Sequence, residues 1–557
     1  MKYVIVGGVA GGATTAARLR RMDEDCEIVM FEKGDYISYA NCGLPYYIGG
    51  TIEAKDSLLL QTPVSFGNRY DVDVRVKSEV IAIDSTNKTI KVRNKFNGKE
   101  YSENYDKLVL SPGAVPIVPN LSGIQSDRIF TIRNVADTEN VKQRAVLGFS
   151  TRKEVVVVGA GFIGLEMVEN LHQLGYHITI VEKASQVMTT VDAPIATVIK
   201  HQLKEKNIDL RLNTEVKGFE NLSDAVGVNL STGESLEADF VILSIGVKAN
   251  TELAKAAGLE IGAAGGIKVN EFLQTSNPDI YAVGDAIEFA NPISGIPYCC
   301  YLAGPANRQA RICADNLVFG NKTAYKGSVA TAVAKVFSWT VGSTGLSENY
   351  LQKHNIPYLT SITHPFSHAT YYPNSKQLTL KINFSPLDGR LLGAQTVGEE
   401  GVDKRLDLMA SVVGNGGTVY DLIDIEHAYA PPFSSAKDPV AYAGYVAENI
   451  LAHRFFPMQW HELQAILATP NWQNEYFLLD VRSAMEVKAG AIEGAVNYPV
   501  DELREMLDEI PTDKKIIIYC AVGLRGYIAS RILLQSGFEK VYNLSGGYKT
   551  YRLLTKE

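Results

Sequence analysis

Two stretches of the chain repeat one pattern of apolar and polar positions. Residues 3–22 read YVIVGGVAGGATTAARLRRM, an apolar run, a glycine turn, and then apolar residues at helical spacing. A second apolar run, IVMF, follows and closes on Glu32. Residues 155–174 read VVVVGAGFIGLEMVENLHQL, followed by ITIV and then Glu182. Continuous apolar runs predict strands buried on both faces, and the switch to a period of about 3.6 predicts a helix after each turn. Each stretch is thus a strand, a turn, a helix and a strand ending in an acid.

That order has a chemical meaning. Glycines let the backbone approach a pyrophosphate, the helix start offers free N–H groups and positive potential, and an acid about 20 residues on takes ribose hydroxyls. Gly159, Gly161 and Gly164 fit the full spacing, whereas the first turn keeps Gly7 and Gly12 but has Val9 at the middle position. One such turn is a weak signal, but two in the same context predict two bound dinucleotides. Glu182, with no arginine near it, favours NADH over NADPH because a carboxylate repels a 2′-phosphate; the adjacent Lys183 leaves NADPH open.

Farther on, TSNPDIYAVGDA sets Asp285 behind a strand and beside Gly284, where an acid can bind a polyol, and LAGPANRQARICADNL begins a helix. From about residue 322 the texture becomes strand-like, as in QLTLKINF, with helical segments through about 449. The last hundred residues alternate strand and helix again. The expected domains are 1–150 and 276–321 for the first dinucleotide, 151–275 for the second, 322–449 as an α+β domain, and 450–557 as a further α/β unit.

Composition narrows the partners. A net charge of -8 argues against nucleic acid or an anionic membrane. No apolar run approaches the roughly 20 residues of a membrane span, and glycines interrupt the N-terminal run where a signal peptide needs an apolar core. A soluble, cytoplasmic protein is expected. The six cysteines form no C-x-x-C pair and no zinc spacing, so no metal is expected and the usage suits a reducing compartment.

Two cysteines stand apart from the rest. Cys42, in SYANCGLPYYIGG, lies just past Glu32, where the first unit leaves its second strand and a thiol can reach a bound flavin. A following helix N-terminus and a reduced flavin are expected to lower its pKa. With GGVAGG, SPGAVP, SIGVKAN, YAVGDA and AYAPPFSSAKDPV, this segment makes residues 1 to about 449 resemble the pyridine nucleotide-disulfide oxidoreductases, in the single-cysteine branch that includes coenzyme A disulfide reductases. Where many relatives carry a second cysteine five residues on, this chain has Tyr47, which excludes an internal disulfide at that spacing. Cys42 would pair with an exogenous sulfur or cycle through sulfenic acid.

The resemblance implies a site. FAD would be held by Gly7, Gly8, Ala10, Gly11, Gly12, Glu32, Lys33, Val80, Ser111, Gly113, Arg133, Gly284, Asp285 and Ala303, and the pyridine nucleotide by Gly159, Gly161, Ile163, Gly164, Glu182 and Gly246. Coenzyme A, as substrate or bound ligand, would meet Thr14, Arg18, Arg21, Ser38, Asn41, Asn307 and Lys437, with Arg18 and Arg21 sharing a helix face toward phosphate. Tyr371 and Tyr429 would donate protons across a homodimer, with Tyr372 competing for the first role. Ala10 replaces the histidine that peroxidases and oxidases of this branch place beside the cysteine, so thiol-disulfide chemistry is favoured over an NADH oxidase or peroxidase.

The last hundred residues resemble a rhodanese domain, through FLLDVRSAMEVKAGAIEGAVNYPV and IIIYCAVGLRGYIASRILLQSGF. Cys520 ends an apolar strand, and the loop behind it, with Arg525, can surround an anionic persulfide. The function expected is an FAD-dependent, NADH-oxidising reductase of coenzyme A persulfide, coenzyme A disulfide or polysulfide. A redox-sensing sulfur carrier is the non-enzyme alternative.

Overall fold

A computed structural model describes residues 1–147 and 152–555. The expected boundary at 150/151 falls outside them. The chain divides into two compact units, 1–185 with 207–330, and 186–206 with 331–557.

The first unit contains two parallel five-stranded sheets. One runs Ile280–Ala282, Lys107–Leu110, Lys2–Val6, Glu27–Phe31 and Asp73–Arg75; the other runs Asp209–Arg211, His177–Val181, Glu154–Val158, Phe240–Leu243 and Ile129–Phe130. In both, the strand that opens the glycine turn is central, and its residues Val4, Ile5, Val156 and Val157 are almost fully buried, as a strand covered on both faces must be. The helices Ala10–Met22 and Phe162–Gln173 follow. The last glycine of each turn is dictated by packing: a Cβ on Gly12 would stand 1.7 Å from the Gly7 carbonyl oxygen, and one on Gly164 would stand 2.1 Å from that of Gly159. Helix Ala303–Phe319 packs on helix Ala10–Met22 and carries Asn307 with it.

In the second unit an antiparallel sheet is ordered Ala332–Val336, Trp339–Gly345, Leu391–Gly398, Thr379–Phe384, Leu359–Thr363. Helices Val402–Gly414, Val419–Asp424 and Pro439–Leu451 accompany it. Residues 186–206 belong here because Asp192, just before helix Ala193–Glu205, meets the buried Lys381 ammonium at 2.6 Å and the Gln395 amide at 2.8 Å. The C-terminal part forms a parallel sheet, Phe456–Met458, Val541–Leu544, Lys515–Tyr519, Tyr476–Asp480, Val496–Asn497. It is tied to the antiparallel sheet by His364, whose Nε2 is 2.8 Å from Thr550 Oγ1, and by a 3.2 Å bond from the Ile362 amide to Ser545 Oγ.

The expected α/β architecture, with its α+β part and its last α/β unit, is therefore present. Among the described residues, no helix is long and apolar enough to cross a membrane.

Candidate active site

The two glycine turns build the same cradle from the same atoms. Glu32 accepts the Gly8 amide at 2.9 Å and the Gly34 amide at 2.8 Å. Glu182 accepts Ala160 and Ala184, both at 2.8 Å. Each carboxylate thus braces its own turn, where it would meet the ribose hydroxyls of a bound dinucleotide. Helices Ala10–Met22, Phe162–Gln173 and Ala303–Phe319 all begin without a side-chain cap. Their first amides are left for a ligand to satisfy, and a Cβ on Gly161 would meet nothing within 4 Å, so open space lies over the second turn. These features fit two bound dinucleotides. Lys183 is engaged by Glu215 at 2.9 Å and does not extend over the turn as a free cation.

Other expected FAD contacts gather around the first cradle. Ser111 donates its amide to Val6, Arg133 Nε donates to the Ala114 carbonyl at 2.6 Å, and the Arg133 Nη2 lies 2.5 Å from where a Cβ on Gly113 would be. Asp285 lies in the turn Gly284–Ala286; burial pushes its pKa up and Arg133 pulls it back. Val80 lies on strand Ser78–Asp84, and Gly246, expected at the pyridine nucleotide, follows strand Phe240–Leu243 of the second sheet.

Cys42 occupies the turn Asn41–Gly43, which runs into the short helix Leu44–Ile48. Its side chain is exposed, yet its pKa moves upward, through desolvation first and then repulsion from Glu166 and Asp285. The short helix that follows offers a weak dipole, and the charged side chains of the polypeptide nearest the sulfur are carboxylates. Glu166 was missed at sequence level. It follows Gly164 by two residues on helix Phe162–Gln173, against which helix Leu44–Ile48 packs, and burial with repulsion from Glu169 raises it to about 7. An acid inside the apolar run FIGLEMVENL was the available signal. Beside the cysteine, the Asn41 side-chain oxygen is buried without a hydrogen-bond partner among the described residues.

Of the residues expected to meet coenzyme A, Thr14 and Asn307 are brought together, with the Thr14 hydroxyl donating to Asn307 at 2.6 Å. Ser38 takes a left-handed φ of 46°, held by its amide's bond to the Gly8 carbonyl. Arg18 and Arg21 differ. Arg18 gives its guanidinium to Asp315 at 2.8 and 3.2 Å, whereas Arg21 is exposed with no ion pair among the described residues. The two guanidiniums, one helical turn apart, thus differ in their protein partners.

In the second unit the Tyr371 and Tyr429 hydroxyls are 2.9 Å apart, a pairing that distinguishes Tyr371 from Tyr372 and raises the Tyr371 pKa. Their loops are knotted together beneath. The buried Arg405 bonds the Ser367 carbonyl at 2.7 Å and Asp438 at 3.1 Å, Ser434 donates to Asp438 at 2.6 Å, and the Ala369 amide bonds the Ser434 carbonyl. Burial alone would raise the Asp438 carboxyl, but the Ser434 hydroxyl, the Val440 amide and Arg405 hold it low. Lys437 is exposed on the same loop.

Cys520 ends strand Lys515–Tyr519 and is 1% exposed. The Gly523 amide donates to its sulfur at 3.1 Å. Arg525 falls in the first turn of helix Leu524–Gln535 rather than in the loop, and it forms a two-bond pair with Glu486 at 2.6 and 2.7 Å. That pairing holds the Glu486 carboxyl down at about 2. Arg482 and Asp480 form a second, buried pair, with Arg482 stacked on Tyr548.

Comparison with known proteins agrees with this geometry. The pyridine nucleotide-disulphide oxidoreductase model matches residues 1–305, the dimerisation domain of that family matches 331–440, and the rhodanese-like domain matches 459–553. The chain belongs to the pyridine nucleotide-disulphide oxidoreductase family and is an oxidoreductase that carries a C-terminal rhodanese-like domain. A coenzyme A disulfide reductase of Staphylococcus aureus is 35% identical over 80% of this chain and 100% of its own length. The structure of reduced Bacillus anthracis CoADR-RHD is 46% identical, with a TM-score of 0.96 over 99% of this chain and 98% of that one. A NAD-dependent persulfide reductase from A. fulgidus is 35% identical, with a TM-score of 0.91 over 99% of this chain and 100% of that one.

Proposed function

We propose that the protein is an FAD-dependent reductase that uses NADH to reduce coenzyme A persulfide, coenzyme A disulfide or polysulfide through a mixed disulfide or persulfide on Cys42, with Cys520 handling sulfane sulfur. The observation that carries this reading is an exposed thiol on the turn beside a dinucleotide cradle, in a chain that also holds a buried second thiol accepting a backbone amide. The named activities of the relatives support it. When bound, FAD supplies the route for an electron pair from NADH to sulfur. The chain's own groups do the rest. The Cys42 thiolate attacks the S–S bond of the substrate, giving a mixed disulfide from coenzyme A disulfide or a Cys42 persulfide from the outer sulfur of coenzyme A persulfide; coenzyme A thiolate leaves in both cases, the Tyr371–Tyr429 pair protonates it, and Glu166 exchanges protons near neutral pH. Arg21, Ser38, Asn41, Thr14, Asn307 and Lys437 would hold coenzyme A.

The matched dimerisation domain supports a homodimer in which one protomer's tyrosines serve its partner's Cys42. We read the domains as 1–150 with 276–321, 151–275, 322–449 and 450–557, and the protein as cytoplasmic with no nucleic-acid partner. NADH consumption with coenzyme A persulfide, coenzyme A disulfide and polysulfide tests the reading in wild type, Cys42→Ser and Cys520→Ser. Loss of all three in Cys42→Ser, and of the sulfane acceptors alone in Cys520→Ser, is the expected result. Turnover with oxygen or peroxide faster than with any of the three would replace the reading with an oxidase or peroxidase.

A further inference from the structure

The helix that follows Cys42, Leu44–Ile48, has only five residues. So short a helix is marginal by itself, and its place depends on what holds its ends. Its N-terminus has no side-chain cap, and its apolar side is fixed by burial of Leu44 and Ile48. Three carbonyls toward its C-terminal end are met by hydrogen bonds: Pro45 by the Gly49 amide at 3.1 Å, Tyr46 by the Ile52 amide at 3.1 Å, and Tyr47 by the Lys142 ammonium at 2.8 Å. The first two donors lie in the chain that follows directly. Lys142 stands 95 residues away, on helix Val135–Leu147, and among the described residues it is the one hydrogen-bond donor that reaches residues 44–48 from another helix.

The same ammonium is 3.5 Å from the centroid of the Tyr47 ring, so one cation holds both the carbonyl and the π face of a single residue. Burial lowers its pKa, and it has no ion pair among the described residues. A lysine that served only solubility would keep its charged head in water. This one gives up hydration with no carboxylate in return, and what it meets instead is the last turn of the Cys42 helix, where a cation near the final carbonyls is favourable. A second tie of helix Val135–Leu147, from Glu139 to Lys55 at 2.8 Å, joins it to the chain beyond this helix and does not touch residues 44–48.

We propose that Lys142 is a positioning residue for the Cys42 reaction: by pinning the carbonyl and ring of Tyr47 it holds the helix that sets where the sulfur stands. The inference rests on the reading of Cys42 as the reductase thiol and adds a residue that acts on the sulfur only through this helix. Without the pin the sulfur keeps its exposure but loses its fixed place. Its reaction with a small reagent should then survive, while the steps that need alignment with a disulfide substrate slow.

The test compares full-length wild type, Lys142→Met, Lys142→Arg and, as a control on the neighbouring tie, Lys55→Met. Amide hydrogen exchange, read by mass spectrometry on peptides spanning residues 41–52, is expected to quicken about tenfold in Lys142→Met and to return to the wild-type rate in Lys142→Arg, which restores donor and cation. The kcat for coenzyme A disulfide should fall about tenfold in Lys142→Met with KM little changed, and Lys142→Arg should recover it. Alkylation of Cys42 by iodoacetamide should be no slower in any variant, bleaching of the flavin by NADH should be unaltered, and Lys55→Met should match wild type throughout. Unchanged exchange in Lys142→Met would overturn the pin, and faster exchange with unchanged kcat would overturn the positioning role. So would slowing of flavin reduction equal to that of kcat, failure of Lys142→Arg to recover kcat, or an equal loss in Lys55→Met. Should wild type fail to reduce coenzyme A disulfide, the proposed function would fall, and the exchange rates would still decide the pin.

Discussion

Cys42 and Cys520 place the same atom in opposite surroundings. Cys42 sits on an exposed turn ahead of a five-residue helix, with Glu166 and Asp285 as its charged neighbours. Cys520 is buried at the end of a strand, with an amide pointed at its sulfur and Arg525 beginning the next helix. One backbone amide points at the second sulfur, whereas burial and the Glu166 and Asp285 carboxylates push the pKa of the first upward. The first sulfur thus lies open to an incoming substrate, and the second is enclosed with a donor already aimed at it.

Substitutions can break that comparison. The largest effect is expected for Cys42→Ser, which should lower NADH-dependent reduction of every acceptor by roughly a thousandfold or more while leaving the yellow colour of a bound flavin unchanged. Persulfide loading of Cys520 should survive in the same variant, and its loss would join the two sites into one. Next comes Tyr429→Phe, which removes one hydroxyl of the 2.9 Å phenol pair. Stopped-flow reoxidation by coenzyme A disulfide should slow about a hundredfold, with reduction of the flavin by NADH unaltered.

Smaller effects sharpen the electrostatic contrast. Glu166, raised to about 7, should give the pH profile of coenzyme A disulfide reduction an ionisation near neutrality. Glu166→Gln should erase that ionisation while Cys520 loading keeps its own profile. The last prediction concerns stability. Burial, with Lys549 nearby, pushes His364 down to about 3 from its ordinary 6.5. The unfolded chain therefore takes up the proton first on acidification, and stability falls as pH drops from 6.5 toward 3. The loss should be about 2 kcal/mol between pH 6.5 and roughly 5. His364→Gln should flatten this dependence in urea unfolding monitored at pH steps, and because His364 ties the two sheets of the second unit together, acid should release the rhodanese-like part before it disturbs the Cys42 site.

Much of the fold was legible because it is written in local patterns. The strand, turn and helix of each dinucleotide unit, with Glu32 and Glu182 at the far end, follow from apolar runs, glycine spacing and a single acid, and each of these acts within a few tens of residues. Cys520 at a strand end was legible for the same reason. Long-range pairing was not. The Arg18 contact with Asp315 spans 297 residues, and the Arg405 knot beneath Tyr371 and Tyr429 joins Ser367 to Ser434 and Asp438 from separate segments, a pairing that the motif AYAPPFSSAKDPV does not reveal. The upward shift of Cys42 was hidden too, since desolvation depends on what other segments bring near the sulfur.

The sequence by itself determined which atoms can react and which turns can cradle a dinucleotide, because residue type and short-range spacing decide nucleophiles, φ-permissive positions and helix starts. Tertiary structure alone decided which arginine pairs with Asp315, which tyrosine pairs with Tyr429, and which charged groups come near Cys42. These depend on distances between segments far apart in the chain, and electrostatics and burial are set by those distances rather than by neighbours in sequence.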